Sequence, residues 1–328
     1  MPKAKHPRRG SLQFWPRKRA ARAYARVRNH SFPQDAKLGG FAGYKAGMSH
    51  FLVVDNRPNS LSKGELVSMP VTVIECPPLK VASVRLYSGS VNGLRLLKEI
   101  SGKVDKEFGR KAPLPKKEAA AVSGVDVSSV VDVRVVVYTQ PKLTGIGRVK
   151  PEVFEVPVGG KTVDERFSFA QQLLLGKEIA VKDVLKGGQQ VDVFGVTVGK
   201  GFQGPVKWFG VALRQHKSEK TKRGPGSLGS WSSPRMWSVA HAGQMGFHQR
   251  LERNKWVVSI SDNPAEFKMA GGIIHYGVLK SHFVVVKGSV QGEPGRLLRL
   301  VPSRKPNTML PTQAPTVEYA SLTSKQGK

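Results

Sequence analysis

The chain has one cysteine, Cys76, in 328 residues. No internal disulfide framework is possible, and the chain reads as intracellular. No apolar run approaches the roughly 18 residues that a membrane helix needs. No hydrophobic segment follows the basic N-terminus, as a secretory signal would require. Acidic residues are scarce: 23 Asp and Glu stand against 53 Lys and Arg, a formal net charge of +30. They are thinnest where the basic charge is densest, which argues against a two-metal nuclease. Nucleophile elbow, paired-acid motif and H-E-x-x-H are all missing. His241 and His248, like His275 and His282, are seven apart with no Cys near enough to complete a zinc site. All four read as satisfied or RNA-packed histidines, and Cys76 beside Glu75 reads as a small buried hydrophobe. No catalytic residue, metal or cofactor is expected.

What remains is enough to fold. The hydrophobic share of 39% is too high for a disordered tail, and the length suggests about two domains. An excess of thirty positive charges needs a polyanion. Nucleic acid comes first, and an acidic membrane surface is the weaker alternative.

The charge is unevenly placed. Ten basic side chains fall in the first thirty residues, and no acid precedes Asp35. Prolines at 2, 7, 16 and 33 prevent a long helix there, and the apolar spacing supports no core. Residues 1–35 therefore read as an extension that a polyanion orders. Residues 98–192 hold 16 basic and 13 acidic residues, a net of only +3. Residues 199–256 hold eleven basic residues against Glu219 and Glu252, a net of +9, with nine glycines and four of the five tryptophans.

The elements read as mainly β with an inserted α/β unit. Short strands are expected at 71–76, 81–87, 94–96, 191–198, 256–260, 273–276, 283–286 and 297–301, with Asn92-Gly93 as a hairpin turn. They suggest a β-barrel that is discontinuous in sequence, from 36–97 and 186–310. The insert, 98–185, carries one well-signalled helix. Thr162 and Glu165 have capping-box spacing, Val163, Phe167, Ala170 and Leu174 share a face, and Gly176 is a stop. Residues 311–328 read as a C-terminal tail.

The stretch 199–256 reads as a functional loop leaving the barrel. Lys and Arg neutralise phosphates, aromatic planes stack on unpaired bases, and glycines allow close backbone approach. Trp256 opens an apolar strand and reads as core. Trp231 lies among Gly and Ser with nothing apolar beside it, which favours a functional role. Gly199-Lys-Gly-Phe-Gln-Gly204 matches G-x-G-x-x-G, but the long amphipathic helix and the later acid of a dinucleotide site do not follow. A glycine-rich turn facing RNA explains the same residues.

These residues resemble the universal large-subunit ribosomal protein three family in its archaeal form. The family pattern reads here as Leu185, Asp192, Gly195, Thr197, Gly199-Lys200-Gly201 and Gly204. The family has a basic residue where this chain has Trp208, with Lys207 beside it. Arg8-Arg-Gly-Ser-Leu12, Pro16-Arg-Lys-Arg19, Phe41-Ala-Gly-Tyr-Lys-Ala-Gly-Met48, Val71-Thr-Val-Ile-Glu75 and Gly243-Gln-Met-Gly-Phe-His-Gln-Arg250 also match. The resemblance runs to about residue 301 and is weakest in the insert.

The resemblance implies a translation-protein-type barrel with two basic extensions entering ribosomal RNA. It implies that Trp231 tips the internal loop close to the peptidyl transferase centre. The family has Trp-His-Pro or Trp-Asn-Pro there, and this chain has Trp231-Ser-Ser-Pro234. The expected rRNA-binding residues are Arg8, Arg9, Arg17, Lys18, Arg19 and Arg22 in the extension and Lys45 in the first strand. In the loop they are Lys200, Lys207, Trp208, Arg214, Lys217, Lys220, Lys222, Arg223, Trp231, Arg235, Gln244, His248 and Arg250. The expected function is that of a structural constituent of the large ribosomal subunit that binds rRNA and supports early assembly in the cytoplasm. Neighbouring ribosomal proteins are expected as partners, with no membrane and no small-molecule substrate. The alternatives are a free-standing RNA or DNA chaperone, or a nucleotide-dependent enzyme using 199–204.

Overall fold

The computed structural model describes residues 10–28, 30–115, 127–174, 176–217, 220–228 and 238–323. The chain divides into two compact units. The smaller is Met1–Ala23 with Val196–Arg250, and the larger is Tyr24–Gly195 with Leu251–Lys328.

The architecture is mainly β. In chain order the elements begin with β1 (Phe41–Val54), β2 (Leu66–Glu75), β3 (Lys80–Ser90), β4 (Gly93–Ser101), β5 (Asp132–Tyr138) and β6 (Val153–Pro157). Next come α1 (Val163–Leu174), β7 (Gln190–Val196), β8 (Gly199–Gln203), α2 (Pro205–Phe209) and β9 (Gly243–Gly246). The last are β10 (Gln249–Ser261), β11 (Phe283–Lys287), β12 (Leu297–Pro302) and β13 (Val317–Ala320).

In the larger unit one sheet runs β12-β7-β10-β11-β2-β1-β13, and β12 pairs with β1 as well. Six strands therefore close a hydrogen-bonded ring, β1-β2-β11-β10-β7-β12. β1 is long enough to serve two partners on one edge. Phe41–Tyr44 pair with β12, and Phe51–Val53 pair with β13. The strands are rich in Val, Ile, Leu and Phe, side chains that suit a pleated, buried surface. β7 and β12 are buried along their whole length. Trp256, on β10, is 2% exposed and donates its indole N–H to the Gly188 carbonyl at 2.9 Å, so it is core.

The second sheet of this unit is β4-β3-β5-β6, with α1 packed on β3 and β5. Thr162 Oγ1 accepts from the Glu165 amide at 3.3 Å, as the capping spacing requires. The Glu165 carboxylate accepts from the Lys161 amide at 2.8 Å, one residue farther out than a capping box would place it. Phe167, Ala170, Leu173 and Leu174 form the buried face. The core is continuous from this sheet into the six-strand ring.

Buried polar groups are matched to donors. The Glu75 side chain is fully buried, and it accepts from the Lys280 and Ser281 amides at 2.7 and 2.8 Å and from the Tyr276 hydroxyl. Tyr44 donates to Glu152 at 2.7 Å and lies 2.9 Å from the Thr139 hydroxyl. Burial, with Glu75 and Glu152 close by, raises both phenols above their ordinary range. Cys76 is likewise buried, and its thiol is pushed up by desolvation.

Four expectations differ from this arrangement. The strands at 81–87 and 94–96 do not join the ring. They form β3 and β4 of the second sheet, and a boundary at 97–98 cuts through β4. A hairpin signal fixes that two strands pair with each other but not which sheet they enter. The strand expected at 273–276 is a turn, because His275 has φ +60 and the chain doubles back to bridge Ile273 with Gly277. The region 311–328 includes β13, so part of it is sheet. Finally, the end of the basic extension does contribute to a core. Tyr24, Ala25 and Val27 are buried, the last two with Phe194 and Val301.

In the smaller unit, β8 and β9 form an antiparallel ribbon. The G-x-G-x-x-G match lies on this ribbon and leads into the five-residue α2, which ends at Gly210.

Candidate nucleic-acid interface

The described part of the smaller unit centres on Arg17. Its guanidinium carbon lies 4.6 Å from the Phe209 ring centroid, 5.4 Å from Trp15 and 5.5 Å from Trp208. Trp15 and Phe209 are stacked at 6.0 Å, and Trp208 meets Phe209 at 4.7 Å. The guanidinium also donates to the Trp208 carbonyl at 3.3 Å. A cation held against several ring faces is stabilised by their quadrupoles, by about 0.5–2 kcal/mol for a partly desolvated pair. Gly10 admits this packing, since a Cβ there would lie 2.4 Å from Phe209 Cδ1.

A second set of contacts ties the extension to the ribbon. His248 is buried and its Nδ1 lies 3.0 Å from the Lys18 carbonyl. Its amide donates to Thr197 Oγ1 at 3.1 Å, and the Ala20 amide donates to the Phe247 carbonyl at 2.8 Å. Arg250 lies over the Phe14 ring at 4.8 Å, and burial together with nearby Arg17 lowers its pKa. Two guanidiniums near enough to disfavour each other's charge make a positive locus that an anion would relieve.

Around these anchors the remaining cations are exposed: Lys18, Arg19, Arg22, Lys200, Lys207, Arg214, Lys217, Lys220, Lys222 and Arg223. Arg214 and Lys222 are joined by a backbone hydrogen bond of 3.1 Å, which brings the cations of 214–223 into one turn. Phe202, 77% exposed, presents a bare ring beside Lys200.

Not all the expected site residues are of this kind. Trp208 is half-buried in the aromatic cluster, and the Gln244 amide donates to the Met245 and Gly246 carbonyls at 3.1 Å. Lys45 belongs to the larger unit, where its ammonium donates to the Val290 and Gly292 carbonyls, each at 2.8 Å. Desolvation lowers its pKa. Arg8, Arg9, Trp231 and Arg235 lie outside the described residues. Trp15, Phe14 and Phe209 were missed by sequence reasoning. The spacing of Trp15 and Arg17 gives no hint that both meet residues some 190 positions later.

Among the described residues no cluster of three or more His, Cys, Asp or Glu could hold a metal ion. No described helix is long and apolar enough to cross a membrane.

Comparison with known proteins agrees with a chain built around basic, aromatic and glycine-rich segments. The sequence falls among ribosomal proteins. A family model described as "Ribosomal protein L3" matches residues 1–327. The large ribosomal subunit protein uL3 of Methanocaldococcus jannaschii is 43% identical over 330 residues, covering 98% of each chain. That of Methanococcus vannielii is 45% identical over 334 residues and 99% of each. The Methanopyrus kandleri protein is 41% identical over 98% of this chain and 91% of its own. The chain belongs to the ribosomal protein L3 family, which is structural rather than enzymatic.

Proposed function

We infer that the protein is a structural constituent of the large ribosomal subunit that binds rRNA. The observation that carries this reading is the set of exposed cations and aromatic rings gathered on the smaller unit, in a chain of this family. Phosphate contacts by Lys and Arg supply affinity and register, and ring faces and backbone shape supply discrimination among irregular RNA structures. Lys45, whose ammonium donates to two carbonyls, and His248, whose Nδ1 lies against the Lys18 carbonyl, are read as shaping the protein rather than touching phosphate. Trp231 is assigned near the peptidyl transferase centre on the family pattern alone. The six-strand ring supports reading the body as a barrel of the translation-protein type. The second sheet and α1 form the inserted unit, a surface for neighbouring ribosomal proteins.

The test is sedimentation combined with a salt titration. The protein should travel with the large subunit and stay there after a moderate salt wash. Affinity of the isolated chain for large-subunit rRNA should fall about 10³- to 10⁵-fold between roughly 50 and 200 mM salt, as six to ten phosphate contacts require. Absence from the subunit peak would point to a free-standing chaperone, and a salt-independent binding constant would remove the phosphate contacts.

A further inference from the structure

Within the larger unit, a cavity of about 630 Å³ opens among Arg28, His30 to Phe32, β5 and the end of β12. That size is within the roughly 300–1,000 Å³ of small-ligand clefts. Its lining is chemically mixed. Arg28 and Arg304 are exposed cations, and Arg28 makes no hydrogen bond or ion pair with the described residues. Phe32 also lines the cavity and stands 48% exposed.

Two residues that line this cavity each carry a buried polar atom without a partner among the described residues. Asp132 is 5% exposed and holds Arg134 through Oδ2 at 2.8 Å, yet its Oδ1 receives no hydrogen bond from the described residues. The Nδ1 of His30 is buried and likewise unsatisfied. Burial and the nearby Arg299 and Arg134 hold this imidazole neutral near pH 7. A buried acceptor left without a donor is destabilising, and a ligand N–H or O–H that supplies one is favoured.

Cations at the rim, an exposed ring and an unfilled carboxylate acceptor together match one chemical class. We propose that this cavity receives a single unstacked ribonucleotide of rRNA. Its phosphate lies between Arg28 and Arg304, its base lies against Phe32, and an exocyclic amino group donates to Asp132. A carboxylate accepts from the exocyclic amino group of cytosine, whereas uracil presents a carbonyl oxygen at that position, an acceptor that the carboxylate repels. The proposal rests on the rRNA-binding reading and adds to it a base-selective pocket in the larger unit.

The test uses the full chain with short oligocytidine and oligouridine strands, read by fluorescence anisotropy. Zero-length ultraviolet crosslinking and peptide mass spectrometry map the contact. Oligocytidine should bind at least about fivefold tighter than oligouridine, and a cytidine adduct should map to the peptide containing Phe32. Phe32→Ala, an exposed change that leaves the fold intact, should weaken oligocytidine binding about 5- to 100-fold. Asp132→Asn should erase the preference for cytidine. Equal binding of the two strands, unaltered by Phe32→Ala, would overturn the pocket. If the steep salt dependence on large-subunit rRNA persisted in that case, the rRNA-binding reading would stand without it. Displacement of oligocytidine by micromolar free CMP would assign the cavity to a free mononucleotide and also overturn the proposal. Loss of the salt dependence as well would remove the reading on which it rests.

Discussion

The two units handle positive charge in opposite ways. In the larger one, several cations are paired or turned inward. Arg57 chelates Asp55, Lys80 sits between Asp105 and Glu178, and Arg85 and Arg134 share Glu155. Arg299 is buried over the Phe154 ring at 4.1 Å and donates to the Glu155 carbonyl at 2.8 Å. In the smaller unit, no salt bridge occurs among the described residues, and its described cations lie exposed or against aromatic rings. The larger unit carries a net of +14 on 250 residues, against +16 on 78 in the smaller, so its charge is far more dilute and partly compensated. The smaller carries uncompensated charge, which makes it dependent on a polyanion supplied from outside. Salt should therefore be the lever on the smaller unit and pH the lever on the larger.

The largest effect expected from breaking this contrast comes from charge removal. Replacing Lys200, Lys207, Arg214 and Lys222 together by Ala should lower the salt slope of rRNA binding by about four. The affinity lost between roughly 50 and 200 mM salt should then shrink by about two decades. Thermal unfolding of the larger unit should be unchanged, because surface substitutions away from pairs and caps cost little. A salt titration of binding beside a calorimetric melt checks both halves. An unchanged slope would mean that these cations are a solvated face.

Much of this contrast was legible in the sequence. Charge counts along the chain separated 1–35 and 199–256 from 98–192. Trp256 was recognisable as core from its apolar run, and α1 from Thr162, Glu165 and its apolar stripe. Three kinds of feature were not legible. Long-range pairing was one: β3 and β4 share their pattern with the ring strands, and only the register against β5 decides their sheet. Side chains working against type were another, such as Glu75, a carboxylate at zero exposure that organises the turn at 276–281. The third was assembly from distant segments. Arg17 meets Trp208 across 191 positions, and no local signal encodes that contact.

A smaller effect should come from the backbone of the smaller unit. Gly246 has φ +70, and a Cβ there would lie 2.0 Å from the Val198 carbonyl oxygen. Gly201 has φ +66, yet nothing lies within 4 Å of its Cβ position. Gly201→Ala should cost about 1 kcal/mol locally, the left-handed strain alone. Gly246→Ala should cost at least about 2–3 kcal/mol, because the strand pair must also separate. Amide hydrogen exchange in β8 and β9 distinguishes the two. Protection should drop sharply only in Gly246→Ala, with the β1–β2 amides unaffected. Equal loss in both variants would show that the ribbon is held by conformation rather than by close approach.

The smallest effect belongs to the larger unit and to pH. His30 is held down to about 4 from an ordinary 6.5, first by burial and then by the positive charges of Arg299 and Arg134, with Glu155 opposing. Between those two values the unfolded chain binds a proton that the folded chain refuses. Stability should therefore be fully present above about pH 6.5 and decline as pH falls toward 4. Solvent screening of a partly exposed imidazole reduces the full linkage to about 1–2 kcal/mol. The carboxylates of Asp55 and Asp105 are held below their ordinary range, by Arg57 and Lys80 respectively, so their loss belongs to lower pH. Chemical denaturation at pH 7 and pH 4.5 should show this decline in the native chain and a flatter response in His30→Gln. An equal decline in both would place the titrating group elsewhere. A flatter variant would tie the acid sensitivity of the larger unit to one imidazole kept neutral among arginines.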